Sequence, residues 1–89
     1  MKVTFTESAE NQFRDIQASF REINRSLATR FAEEVRSAVQ RLETFPRSGY
    51  MVGKARRVIL RRSRYLMLYQ ITETQIYVTK LVHQKKRPE

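Results

Sequence analysis

The stretch RRVILRRSRYLMLYQI, residues 56–71, decides the fold. Two apolar runs, Val58–Leu60 and Tyr65–Tyr69, flank the turn-forming pair Arg62 and Ser63, which is the pattern of a β-hairpin with a positively charged tip. In the second run Tyr65, Met67, Tyr69 and Ile71 alternate with Leu66 and Leu68, so the strand is apolar on both faces. Such a strand belongs in the middle of a sheet and needs a cover. The rest of the chain has to supply that cover, and the tip is left to face water or an acidic partner.

Working outward, Thr72–Thr74 makes a second turn and Gln75–His83 (QIYVTKLVH) is a β-branched strand. The tail, residues 84–89, is short and basic. Upstream, Arg47–Ala55 holds the only glycines, Gly49 and Gly53, and reads as a loop crossing from helices to sheet. Before it, Leu27, Phe31, Val35, Ala38, Val39 and Leu42 form the stripe of a helix that Asn24 or Ser26 can cap and that Phe45-Pro46 ends. An earlier stripe, Ala9, Phe13, Ile16, Phe20 and Ile23, marks a helix with Thr6 as N-cap and Glu7 and Glu10 in its first turn. Two or three residues between the helices predict an antiparallel αα-hairpin. Lys2–Phe5 alternates as a short strand at a sheet edge. The predicted order is βααβββ, an α+β domain over residues 1–89 with the helix hairpin on one face of an antiparallel sheet.

Composition narrows the function. Cysteine is absent and His83 is the only histidine, which argues against a thiolate metal site and a disulfide framework. No apolar run is long enough to span a membrane, and MKVTFTESAE lacks the apolar centre of a signal peptide, so the expectation is a soluble cytoplasmic protein without cofactor or metal. Charge is one-sided. Residues 1–45 hold seven Lys/Arg and seven Asp/Glu, whereas residues 46–89 hold eleven Lys/Arg against Glu73 and Glu89. The whole net charge of +9 lies in the second half, and such a field steers acidic partners.

Chemistry would have to come from Tyr65, Tyr69, Tyr77 and His83 beside Arg57, Arg61, Arg64, Lys80 and Lys85. Those groups could serve an RNA-cleaving site, with cations on the phosphate and Tyr or His moving protons. They could equally be half-buried sheet tyrosines and arginines that bind without reacting. His83 reads either as a backbone-bonded turn residue or as part of a contact surface with Lys85–Arg87.

The residues resemble the RelE/ParE toxins of type II toxin–antitoxin modules. The likeness lies in Thr6 and Ala9, in FAEEVRSAVQRLETFPRSG (Phe31–Gly49), in the Arg57 strand, in YLMLYQI (Tyr65–Ile71) and in LVHQKKRP (Leu81–Pro88). RelE-type ribonucleases usually carry an arginine in the third strand that stabilises the scissile phosphate; here the matching position is Leu66, and Ile59 stands where a lysine is frequent. Leu66 cannot donate to a phosphate, and loss of such a donor typically costs a few kcal/mol of transition-state stabilisation. The likeness is therefore closer to ParE, whose members lack nuclease residues and block DNA gyrase on cleaved DNA. It implies a toxin with no catalytic residue, held in check by an acidic ParD-like antitoxin that folds over it. The basic face expected to meet gyrase is Arg56, Arg57, Arg61, Arg62, Arg64, His83, Lys85, Lys86 and Arg87. The residues expected to meet antitoxin are Phe13, Phe20, Leu27, Tyr65 and Tyr69. The alternatives are a RelE-like, ribosome-dependent mRNA endonuclease and a plain nucleic-acid-binding module.

Overall fold

A computed structural model describes residues 1–86. The elements are β1 (Lys2–Phe5), α1 (Glu7–Ile23), α2 (Arg25–Thr44), β2 (Tyr50–Val52), β3 (Ala55–Leu60), β4 (Tyr65–Ile71) and β5 (Gln75–His83), followed by a 3-10 turn, Gln84–Lys86. The sheet runs β1-β5-β4-β3-β2, with β1 parallel to β5 and every other pair antiparallel. The double-faced strand β4 lies at its centre, as its composition requires.

The helices begin and end where their caps dictate. Thr6 Oγ1 accepts from Ala9 N–H to open α1. Asn24 alone makes the corner: its N–H donates to Phe20 O, closing α1, and its Oδ1 accepts from Ser26 N–H, opening α2. The connection is thus one residue, shorter than expected. Ile23 is 74% exposed rather than part of the stripe, because it is the last helical residue, at the corner where the chain leaves for α2.

The core lies between the hairpin and one face of the sheet. Ala9, Phe31, Val35, Ala38 and Leu42 meet Val58, Leu60, Met67, Tyr69, Ile76, Val78 and Leu81. Phe31 is its aromatic hub, with ring centroids 5.5 Å from Phe13, 5.4 Å from Phe20 and 5.6 Å from Tyr65. Burying such rings contributes hydrophobic free energy and an aromatic pair term of about 0.5–1.5 kcal/mol each.

The sheet also departs from the sequence reading, first in β1, which pairs parallel to β5 where an antiparallel sheet was expected. The segment read wholly as loop contains β2, which pairs Tyr50 with Arg57, Met51 with Arg56 and Val52 with Ala55 around a turn begun by Gly53 at φ +60°. The glycines that suggested a loop bracket a strand of good β-formers. The register of β4 with β5 also shifts between Leu68 and Tyr69, leaving Thr79 as the extra residue of a β-bulge, its Oγ1 donating to Leu68 O at 3.4 Å. That shift keeps both Lys80 and Val78 in phase with their own faces.

Candidate functional site: a helix-free sheet face and a basic tip

Strand alternation sets the helix-free face. Residues opposite to the core positions are Arg57 and Ile59 on β3, Leu66, Leu68 and Gln70 on β4, and Tyr77, Lys80 and Val82 on β5, with Thr4 on β1 and Tyr50 on β2. Ile59, Leu66 and Val82 form one apolar row across three strands. Leu66, the middle residue of that row, is buried at 2% exposure. The next row is Tyr50, Arg57, Leu68 and Lys80. Among the described residues, buried Arg57 Nε finds no acceptor there.

The tip is the β3–β4 turn. Arg64 N–H donates to Leu60 O, and Arg64 takes φ +64°, a left-handed conformation that costs a non-glycine residue roughly 1 kcal/mol. What holds the turn is Glu34 of α2, whose two carboxylate oxygens accept from Arg62 N–H at 2.8 Å and Ser63 N–H at 3.1 Å. Arg61, Arg62 and Arg64 point into solvent. Gln84 N–H donates to Arg64 O, so the end of β5 lies against the same tip.

The expected basic face is three groups rather than one. Arg61, Arg62 and Arg64 gather at the tip with exposed Lys85 nearby. Arg57 stands on the helix-free face at the far part of β3. Arg56 points to the other side and clasps the preceding loop, its Nη1 donating to Gly49 O at 2.9 Å and Arg47 O at 3.2 Å. Neighbours in sequence on a strand face opposite ways, which is why the run splits. His83 packs edge-on to Tyr65, centroids 5.0 Å apart, and its Nδ1 accepts from Lys85 N–H. Burial pushes the Tyr65 phenol above its ordinary pKa of 10.0. The Lys86 side chain and Arg87 lie outside the described residues.

The apolar set also divides. Phe20 and Leu27 line a cleft of about 400 Å³ with Arg30, Phe31, Glu34, Arg62 and Ser63, which joins the helix hairpin to the tip. Phe13 faces a different cleft, with Phe5, Arg14 and Arg36. Tyr65 is half-buried beside Phe20 and Phe31. Tyr69 has 0% exposure and offers no surface to a partner: its hydroxyl donates to Pro46 O at 2.8 Å and accepts from Gly49 N–H at 2.9 Å, bracing the loop before β2. Of the groups weighed for phosphodiester chemistry, Tyr77, Arg57 and Lys80 share the helix-free face, whereas Tyr65 and Tyr69 lie on the helix side. Glu34 was not foreseen; nothing in its helical setting, EEVRS, marks it as a cap for a turn twenty-eight residues away.

Among the described residues, no group of three or more His, Asp or Glu side chains could hold a metal ion, and no helix is long and apolar enough to cross a membrane. None of the curated proteins is a match for the chain. Among solved structures, the chain is similar to one described as the chromosomal ParDE TA system from P. aeruginosa, with a TM-score of 0.80, 16% identity, and coverage of 93% of this chain and 95% of that one. At that identity the likeness carries the fold. The family comes from the sequence: residues 3–88 match the family described as ParE toxin of type II toxin-antitoxin system, parDE. With nearly its whole length matched, the chain belongs to the ParE toxin family of type II toxin–antitoxin systems.

Proposed function

We propose that the protein is a cytoplasmic growth-arresting toxin that acts by binding DNA gyrase, without cleaving a nucleic acid, and that an acidic ParD-like antitoxin neutralises it. The observation that carries the absence of cleavage is Leu66. At the strand position where the ribonuclease branch places its phosphate-stabilising arginine, this chain has a 2%-exposed leucine set between Ile59 and Val82. A hydrocarbon there cannot stabilise a developing phosphorane charge. The exposed cations of the tip remain available for binding, since only Arg14 and Glu10 form an ion pair among the described residues. The cleft of Phe20 and Leu27, flanked by Arg30 and Arg62, suits an amphipathic acidic segment, which would gain apolar burial and charge neutralisation together.

The test is ATP-dependent supercoiling of relaxed plasmid by purified gyrase, run beside a translation extract. The expected result is loss of supercoiling with accumulation of cleaved plasmid while the messages stay intact. Undiminished supercoiling at toxin in excess over gyrase refutes the reading. Codon-phased cuts in the translated message would instead support the endonuclease.

A further inference from the structure

We propose that the helix-free sheet face binds single-stranded DNA directly, with Arg57 and Lys80 on successive phosphates and Tyr50 and Tyr77 against bases. The inference goes beyond the gyrase reading and does not depend on it.

The face is built for an anion on an apolar bed. Arg57, Leu68 and Lys80 are cross-strand partners on β3, β4 and β5, so the two cations stand two strand spacings apart, about 10 Å between Cα atoms. No carboxylate occupies any of the face positions, while the seven acids of residues 1–45 all sit in the helical layer. Arg57 Nε is buried with no acceptor among the described residues, and a buried donor left unpaired calls for a partner. Turning the guanidinium outward onto a phosphate oxygen would supply one, in the side-on geometry that arginine favours.

Rings complete the pattern. Tyr50, 69% exposed, is the cross-strand partner of Arg57 at the sheet edge. Tyr77 lies one row away, opposite Gln70 and Thr4, and its hydroxyl accepts from Gln75 Nε2, which fixes the ring. Cations interleaved with aromatic rings form the stacking platform that single strands use. Rings on a sheet face can stack only on bases that are not already paired within a duplex. Deoxyribose is preferred over ribose where the sugars lie over the apolar row beside the cations, Ile59, Leu66 and Val82, which offers no partner to a 2′-hydroxyl.

Fluorescence anisotropy of a labelled oligothymidylate with the purified protein tests this. Arg57→Gln with Lys80→Gln should weaken binding about tenfold or more, and should lower the slope of log K against log salt by about 1.4, two phosphate contacts at 0.7 each. Exposed Lys80→Gln alone, which leaves the fold intact, should remove half of that slope. Tyr50→Ala should weaken binding about tenfold with the slope unchanged. Arg21→Gln, an exposed cation on α1, should change neither. The proposal is overturned if the double variant binds like the wild type, if Arg21→Gln costs as much as Lys80→Gln, or if an oligouridylate binds at least as tightly as the DNA. Because gyrase is absent from the assay, its outcome is separate from that of the supercoiling test.

Discussion

Tyr69→Phe removes one oxygen from a fully buried ring and nothing else, so it measures what the loop brace contributes. In the native fold the hydroxyl accepts from Gly49 N–H at 2.9 Å and donates to Pro46 O at 2.8 Å. Gly49 is buried, so its N–H would be left with neither protein nor water. The Pro46 carbonyl, only half-buried, can turn to solvent. An orphaned buried donor costs about 1–3 kcal/mol, which puts the expected loss near 2 kcal/mol. A domain of this size has a total stability of roughly 5–13 kcal/mol, so the effect is large. It should lower the melting temperature by about 8–16 °C. Thermal unfolding followed by circular dichroism reads it directly. A second substitution checks the geometry. A Cβ on Gly49 would lie 2.6 Å from both Arg57 O and the Tyr69 hydroxyl, so Gly49→Ala should destabilise by more than Tyr69→Phe does. Because removing the Tyr69 hydroxyl relieves one of those two clashes, the double variant should be more stable than the sum of the single losses. A Tyr69→Phe protein within about 0.5 kcal/mol of wild type, or strict additivity with Gly49→Ala, refutes the idea that this hydroxyl braces the loop and the strand β2 that follows.

Further outcomes follow from the same contacts. Asn24→Ala should lower stability by about 1 kcal/mol in guanidinium titration, because it removes the side-chain oxygen that caps α2 while keeping the backbone N–H that closes α1, whereas exposed Ser26→Ala should cost under about 0.5 kcal/mol. Glu34→Ala should cost about 1–2 kcal/mol and speed amide exchange at residues 61–64, since two N–H groups lose their acceptor; Glu34→Gln, which keeps one oxygen, should lose less. Burial raises the Tyr65 pKa in the folded state, so folding favours the neutral phenol. Its contribution is complete below the unfolded value of 10.0 and is lost as pH rises past it through the folded pKa. Denaturant midpoints measured across that alkaline range should fall with pH, and less steeply in Tyr65→Phe.

Much of this was legible locally. The double-faced composition of Tyr65–Ile71 put β4 at the sheet centre, Thr6 announced the cap of α1, Asn24 or Ser26 that of α2, where Asn24 serves, and Phe45-Pro46 marked the end of α2. Those signals are local because propensity, capping and alternation act over a few residues. The strand β2 escaped because its glycines outweighed three residues of β-former, and because its pairing depends on where β3 lies. The basic run, read as one surface, was split by the alternation of the strand that carries it: Arg56 clasps a loop and Arg57 faces the helix-free side. Tyr69, read as a contact, is an internal strut because the loop folds onto it.

Residue order and spacing alone were enough for the two helices, four of the five strands, their apolar faces and the placement of all the net charge in the second half. Packing in three dimensions set which cations share a surface, which tyrosines see solvent, that Glu34 holds the tip and that β1 runs parallel beside β5. Those outcomes turn on strand register and on how the helix hairpin seats against the sheet, and both are settled by contacts between residues far apart in the chain, which no local window contains.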